Sequence, residues 1–274
     1  MLQISLQHDR RKHRRVVFKE ACKSLAEEMK ADTALNAIAD IAQALNLLQK
    51  VGYIHRDVSA GNCLIYGSGG KLSDLESCKS YLAKSKVDSF SGTTEFMAAE
   101  VLTRDLLFNN SEPKVPENIY HPHPIHDLEA LNWMTWWFFL SKTLPTASPS
   151  KAAVDHWRSE IWSPLFAQPS GSFRGTILST RSFIKRYTRL FMRCGWDEKL
   201  TRALSPVLNF VYTIGKEHIA IQQQPQVTDE ERNIRWPVEV FREEPYKKYS
   251  KFLKKAAASL GNLELVSIWD HVDA

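Results

Sequence analysis

The feature that most restricts the fold is a loop, His55-Arg56-Asp57-Val58-Ser59-Ala60-Gly61-Asn62, enclosed by an apolar helix on one side and an apolar strand on the other. Upstream, Leu35, Ile38, Ile41, Ala42, Leu45, Leu48 and Val51 recur every three or four residues, which predicts a helix with one wide apolar stripe. Asp32 or Thr33 can cap its start, and Gly52 can stop it. Downstream, Cys63-Leu64-Ile65-Tyr66, the turn Gly67-Ser68-Gly69-Gly70 and Lys71-Leu72-Ser73-Asp74-Leu75 predict a short hairpin. A carboxylate and a carboxamide held this way suit one kind of work. Asp57 can orient or accept the proton of an attacking hydroxyl, and Asn62 can offer a neutral oxygen to a magnesium ion.

Alone, Asp57 and Asn62 could be ordinary turn residues, because both types favour loops. A third oxygen donor changes the balance. Asp74 ends the hairpin, and two strands around a tight turn bring their outer ends together, so Asp74 is expected beside Asp57 and Asn62. Further on, Gly92-Thr93-Thr94-Glu95-Phe96-Met97-Ala98-Ala99-Glu100 leads into a helix. Pro113, Pro116, Pro122 and Pro124 mark residues 104–125 as a loop. Asp127 then opens Leu128, Leu131, Met134, Trp137, Phe138 and Phe139, a helix apolar over most of its circumference and therefore buried. Asp127 is either the N-cap of that helix or a group reaching the backbone of the Asp57 loop. Other helices are expected at 151–162, 179–194 and 197–220. A Gln-, Pro- and charge-rich linker at 222–245 precedes a basic amphipathic helix at 245–260, ended by Gly261.

Composition narrows the class. With 43% hydrophobic and 24% charged residues among 274, the chain has the balance of a soluble globular protein with a sizeable core. Much of the net charge of +5 sits in Arg10-Arg11-Lys12-His13-Arg14-Arg15. No aromatic interleaves that run, so a solvated arm or an import signal is expected ahead of nucleic-acid binding. Cys22, Cys63, Cys78 and Cys194 are widely spaced, which indicates neither a zinc site nor a disulfide framework. The longest apolar run, Trp133 to Leu140, is too short to span a bilayer, and the polar, basic residues from Gln7 exclude a signal-peptide core. Cytoplasmic or nuclear residence without a membrane partner is the expectation.

Taken in order, these motifs resemble the protein kinase fold, and specifically the C-terminal lobe of the fungal-type protein kinase family. The resemblance is carried by His-Arg-Asp-Val-Ser-Ala-Gly-Asn at 55–62, by Gly-Thr-x-x-Phe-Met-Ala-x-Glu at 92–100, and by His126-Asp127-Leu128-Glu129 after a Pro/His-rich insertion. It covers roughly residues 14 to 255. It implies a mainly α fold (α+β overall) with small β-hairpins and a residual strand and hinge from the N-terminal lobe. The corresponding divisions are a basic arm at 1–15, strand and hinge at 16–31, the kinase-like lobe at 32–221, and linker plus C-terminal helix at 222–274. By resemblance, Asp57 is the catalytic Asp, and Asn62 and Asp74 hold metal. His55, Arg56, Glu100 and Asp127 support them, and Thr93 lies near the substrate hydroxyl, which favours Ser/Thr over Tyr. Leu64 would lie beneath the adenine, and Glu20 to Cys22 would bind it as a hinge. The implied cofactors are ATP and Mg2+, and the implied partner is a protein, either substrate or binding partner.

The sequence also departs from that pattern. No Gly-x-Gly-x-x-Gly precedes the catalytic loop, and no strand carries a phosphate-pairing lysine. Ser59 stands where serine/threonine kinases usually have lysine, Asp74-Leu75-Glu76 replaces Asp-Phe-Gly, and Ala99 replaces the proline of Ala-Pro-Glu. Glu76 is either added negative charge beside the metal or an extra ligand. The leading expectation is phosphoryl transfer to protein Ser/Thr hydroxyls. The alternative is a truncated pseudokinase acting as a binding or regulatory module, and a small-molecule phosphotransferase is a third reading.

Overall fold

A computed structural model describes residues 19–81, 92–108, 122–181, 183–224, 227–228, 234–235 and 238–271. The basic run 10–15 and residues 16–18, where the expected strand and hinge begin, lie outside these residues.

The apolar stripe forms α1, Ala31–Lys50, and buries Leu35, Ile38, Ile41 and Leu45 together with five alanines. Its N-cap is Lys30 with no side-chain bond, so neither Asp32 nor Thr33 caps it. Val51 is the C-cap and 66% exposed, which removes it from the stripe, and Gly52 follows at φ 83°. Ahead of α1, β1 (Lys23–Ser24) pairs antiparallel with β3 (Cys63–Tyr66), which pairs with β4 (Gly69–Leu72). The register Tyr66↔Gly69 leaves Gly67-Ser68 as a two-residue turn, so the second strand begins earlier than the glycines suggest. A Cβ on Gly70 would lie 2.1 Å from the Ala37 carbonyl oxygen, so the hairpin rests directly on the backbone of α1. β2 (Tyr53–Ile54) pairs with β5 (Lys79–Ser80) and brackets the loop from the other side.

A short α2 (Ala99–Thr103) precedes α3, Pro124–Leu140, in which every residue except Trp137 is buried. Pro124 occupies the first helical turn, where a missing N–H costs nothing, so the helix starts inside the stretch expected to be loop. Trp133, Trp136, Phe138 and Phe139 are core. β6 (Lys142–Thr143) leads to α4 (Lys151–Trp157), which widens into a π-helical stretch, Arg158–Ala167, carrying Pro164. The remaining helices are α5 (Gly171–Ser179), α6 (Phe183–Arg193), α7 (Glu198–Leu208) and α8 (Phe210–Gln222). The helix expected over 197–220 is thus two, broken at Asn209 shortly after Pro206. Within the expected linker, β7 (Val227–Thr228) pairs with β8 (Ile234–Arg235). α9, Glu244–Leu260, packs along α1 with Tyr249, Leu253, Ala256 and Ala257 buried, while Lys247, Lys248, Lys251, Lys254 and Lys255 face solvent. Gly261 ends it at φ 59°, and β9 (Val266–Ser267) pairs with β6. The result is a mainly helical protein with small two- and three-stranded sheets. Among the described residues, no helix is long and apolar enough to cross a membrane.

Candidate active site

The loop after β2 is fixed by the helix behind it. Asp127 lies in the first turns of α3, fully inside the protein. Its Oδ2 accepts from the His55 N–H at 2.6 Å and its Oδ1 from the Arg56 N–H at 2.9 Å. Asp127 is therefore not the N-cap, which is His123. Burial raises its carboxyl above the ordinary value, against the pull of the His55 N–H. His55 is fully buried and bridges two segments. Its Nδ1 accepts from the Asp57 N–H at 3.3 Å, which leaves Nε2–H to donate to the Ser73 carbonyl at 2.9 Å. Arg56 turns the chain at φ 72°, between the two residues that Asp127 and His55 hold.

Asp57 emerges half-exposed from this frame. Thr93 donates to its Oδ1 twice, from the backbone N–H at 2.9 Å and from Oγ1 at 2.8 Å. Asn62 Nδ2 donates to Asp57 Oδ2 at 3.1 Å and to the main-chain carbonyl of Asp57 at 2.9 Å. Because the Asn62 amide nitrogen is committed to Asp57, its Oδ1 is the end able to coordinate a cation. Thr93 reaches Asp57 only because Gly92 precedes it. At φ 118° a Cβ there would lie 2.6 Å from the Arg56 carbonyl oxygen.

Asp74 joins the group through its neighbour. The Ser73 N–H and Oγ both bond the Asn62 carbonyl, at 2.9 and 3.1 Å, which ties the end of the hairpin to the end of the loop. Asp74 itself is left-handed, φ 58°, and exposed. Burial, reinforced by the charges of Asp127 and Asp74, pushes the Cys78 thiol up to about 11, so the surroundings are electronegative. On the sheet side, Leu64 sits opposite Ser24 in the β1–β3 register; just ahead of β1, Cys22 is half-buried and Glu20 exposed.

Glu100 is not part of this group. It is fully buried, and its Oε1 accepts from the Leu107 N–H at 2.7 Å and from Gln222 Nε2 at 2.6 Å. Its Oε2 faces His126, 3.2 Å away, and His218, 3.5 Å away. Burial would raise this carboxyl, but His126 and His218 hold it well below the usual range. Burial would likewise suppress the charge on His218, yet Glu100 and Glu129 raise it to about 9.

Sequence reasoning missed this second cluster, His123, His126, His218 and Glu129, and it also missed Arg174. That buried guanidinium donates to the carbonyls of Met97, Glu95 and Leu165 and lies over the Trp133 ring, fixing the segment between Thr93 and α2. Burial lowers it to about 10. The Pro/His-rich stretch before Asp127 was the one available signal for the histidines.

A family model described as fungal protein kinase matches residues 4–139. The chain is 36% identical over 69 residues to the probable serine/threonine-protein kinase gdt4 of Dictyostelium discoideum. That alignment covers 23% of this chain and 4% of the relative, so the chain corresponds to a small fraction of that protein's length.

Proposed function

The chain belongs to the fungal protein kinase family, and from that premise we propose that it transfers a phosphoryl group from ATP to serine or threonine hydroxyls of a protein. The observation that carries this reading is the state of the Asp57 carboxylate. Two hydrogen bonds from Thr93 occupy Oδ1, leaving Oδ2, with its single bond from Asn62, as the oxygen to accept a proton. Asp127 and His55 keep the loop from turning, so the carboxylate is held in place before a hydroxyl arrives.

Asn62 Oδ1 and the Asp74 carboxylate are hard oxygen donors of the kind magnesium takes. They fit that ion, which when bound neutralises charge on phosphate oxygens. Leu64 and the backbone of Glu20 to Cys22 supply an apolar floor and an edge for the adenine. Glu20, Cys22, Leu64 and Thr93 thereby complete the site around Asp57, Asn62 and Asp74.

Asp57→Asn in the full-length protein is expected to lower phosphate incorporation into a generic acceptor protein by roughly 100- to 10,000-fold, the range for losing a general base. It should keep a magnesium-dependent thermal shift with ATP, whereas Asp74→Asn should lose that shift. Equal incorporation by wild type and Asp57→Asn would remove the catalytic assignment. A shift with ATP and magnesium but no incorporation would establish a nucleotide-binding regulatory module instead.

A further inference from the structure

Behind the Asp57 loop, three helices bring four side chains into one dry pocket. Glu100 comes from α2, His123 and His126 from the start of α3, and His218 from α8, and each is at most 4% exposed. One ligand atom from each lies within 4.8 Å of all the others. Glu100 Oε2 is the common vertex, with nitrogens at 3.2 Å (His126), 3.5 Å (His218) and 4.0 Å (His123). A tetrahedral zinc ion with bonds of about 2.1 Å has ligand–ligand edges of about 3.4 Å, which the 3.5 Å to His218 already matches and the 4.0 Å to His123 reaches with a small closing shift.

The hydrogen bonds decide which atoms are available. His218 Nε2–H donates to Glu129 Oε2 at 2.8 Å, and Glu129 Oε1 is fixed by the Ala99 N–H and the Trp133 Nε1–H. That arrangement leaves His218 Nδ1 directed at Glu100 Oε2, buried and without a hydrogen-bond partner. A ring held by a carboxylate on one nitrogen and open on the other is the usual second-sphere arrangement of a metal-binding histidine. His126 is different. Its Nδ1 accepts from the His123 N–H at 2.9 Å, so its proton sits on Nε2, which donates to Glu100. The His123 and His126 rings also stack, 3.7 Å between centroids and 24° apart, so their in-plane lone pairs run nearly parallel and do not converge on one ion.

Imidazole and carboxylate donors together suit zinc among the divalent metals.

We propose that Glu100 Oε2, the His123 imidazole and His218 Nδ1 bind a zinc ion, with His126 and Glu129 as the outer groups that orient Glu100 and His218. The cysteines, read from their spacing, gave no sign of zinc, and this site uses none of them. The ion would pin α2, the first turn of α3 and α8 to one another. This inference does not rest on the proposed phosphoryl transfer.

The test is metal content and affinity of the full chain. After expression with zinc and dialysis, wild type is expected to hold about one zinc per chain by elemental analysis. Cobalt loaded in its place should give the visible bands of a four-coordinate site. His123→Ala should abolish both signals, and Glu129→Gln should keep the stoichiometry while weakening affinity about 10- to 100-fold. His218→Ala should also abolish both. Should that variant fail to fold, His123→Ala, whose ring lies at the helix start, carries the test. Wild type with only trace zinc and no cobalt bands would overturn the proposal, and so would a His123→Ala chain that binds like wild type.

Discussion

The Asp57 loop and the histidine pocket share α3 but are built in opposite ways. The loop draws its key groups from one short stretch, sets them half in solvent and fixes them through backbone hydrogen bonds. The pocket draws its groups from helices far apart in sequence, buries them completely and fixes them largely through one another, with a few backbone N–H groups at the margins. The first arrangement is written locally and can be read from spacing, whereas the second exists only once the chain has folded. The difference teaches where to look for chemistry that no motif announces: among polar side chains that burial has forced to satisfy one another.

Substitutions can break this contrast or sharpen it. Arg174→Met should have the largest effect, because the guanidinium bonds three carbonyls and offsets buried negative charge. Its loss is expected to destabilise the fold by about 4 kcal/mol in urea unfolding. Both regions should suffer, since the segment it holds runs from Thr93 toward Glu100. Asp127→Ala should cost about 3 kcal/mol by orphaning two amide N–H groups, with Asp127→Asn roughly half as damaging. If Asp127→Ala also empties the pocket of zinc, the two regions are one unit and the contrast fails.

Gly92→Ala tests the loop alone. Its Cβ would meet the Arg56 carbonyl in a backbone conformation that side chains resist, for an expected loss of about 2 kcal/mol. Zinc content should not change. The smallest effect belongs to Glu28, a control outside both regions. Burial would raise its carboxyl, but Lys23 at 2.7 Å and the N–H groups of Lys30 and Met29 hold it below the ordinary value. A depressed carboxyl stabilises the fold above the unfolded-state value, and that contribution is lost as pH falls through the folded one. Glu28→Gln should therefore cost about 1 kcal/mol near pH 7. The gap to wild type should close on acidification, as urea midpoints across pH will record.

The same contrast explains what could be read from the chain before folding. α1 was legible because apolar side chains at helical spacing need only one partner surface, and α9 because lysines alternate with Tyr249 and Leu253. The loop was legible because Asp57, Asn62 and Asp74 lie close in sequence around a two-residue turn. Glu100 was anticipated as a supporting group of that site, yet it belongs to the pocket, since the string around it says nothing of His218. An expected helix divides at Asn209, whose side-chain amide turns back to the Ser205 carbonyl and hydroxyl, a local bond that hydrophobic spacing does not announce. Arg174 was invisible for a similar reason: its partners are carbonyls, which every residue carries.

The double hydrogen bond from Asp127 carries one more consequence, for how this chain can vary in length. An α-helix turns about 100° per residue, so one residue inserted between His123 and Asp127 would swing the carboxylate off the amides of His55 and Arg56. The same insertion would carry His126 away from Glu100. That short spacer acts as a ruler, and the family's tolerance for insertions should stop abruptly at the histidine where α3 begins.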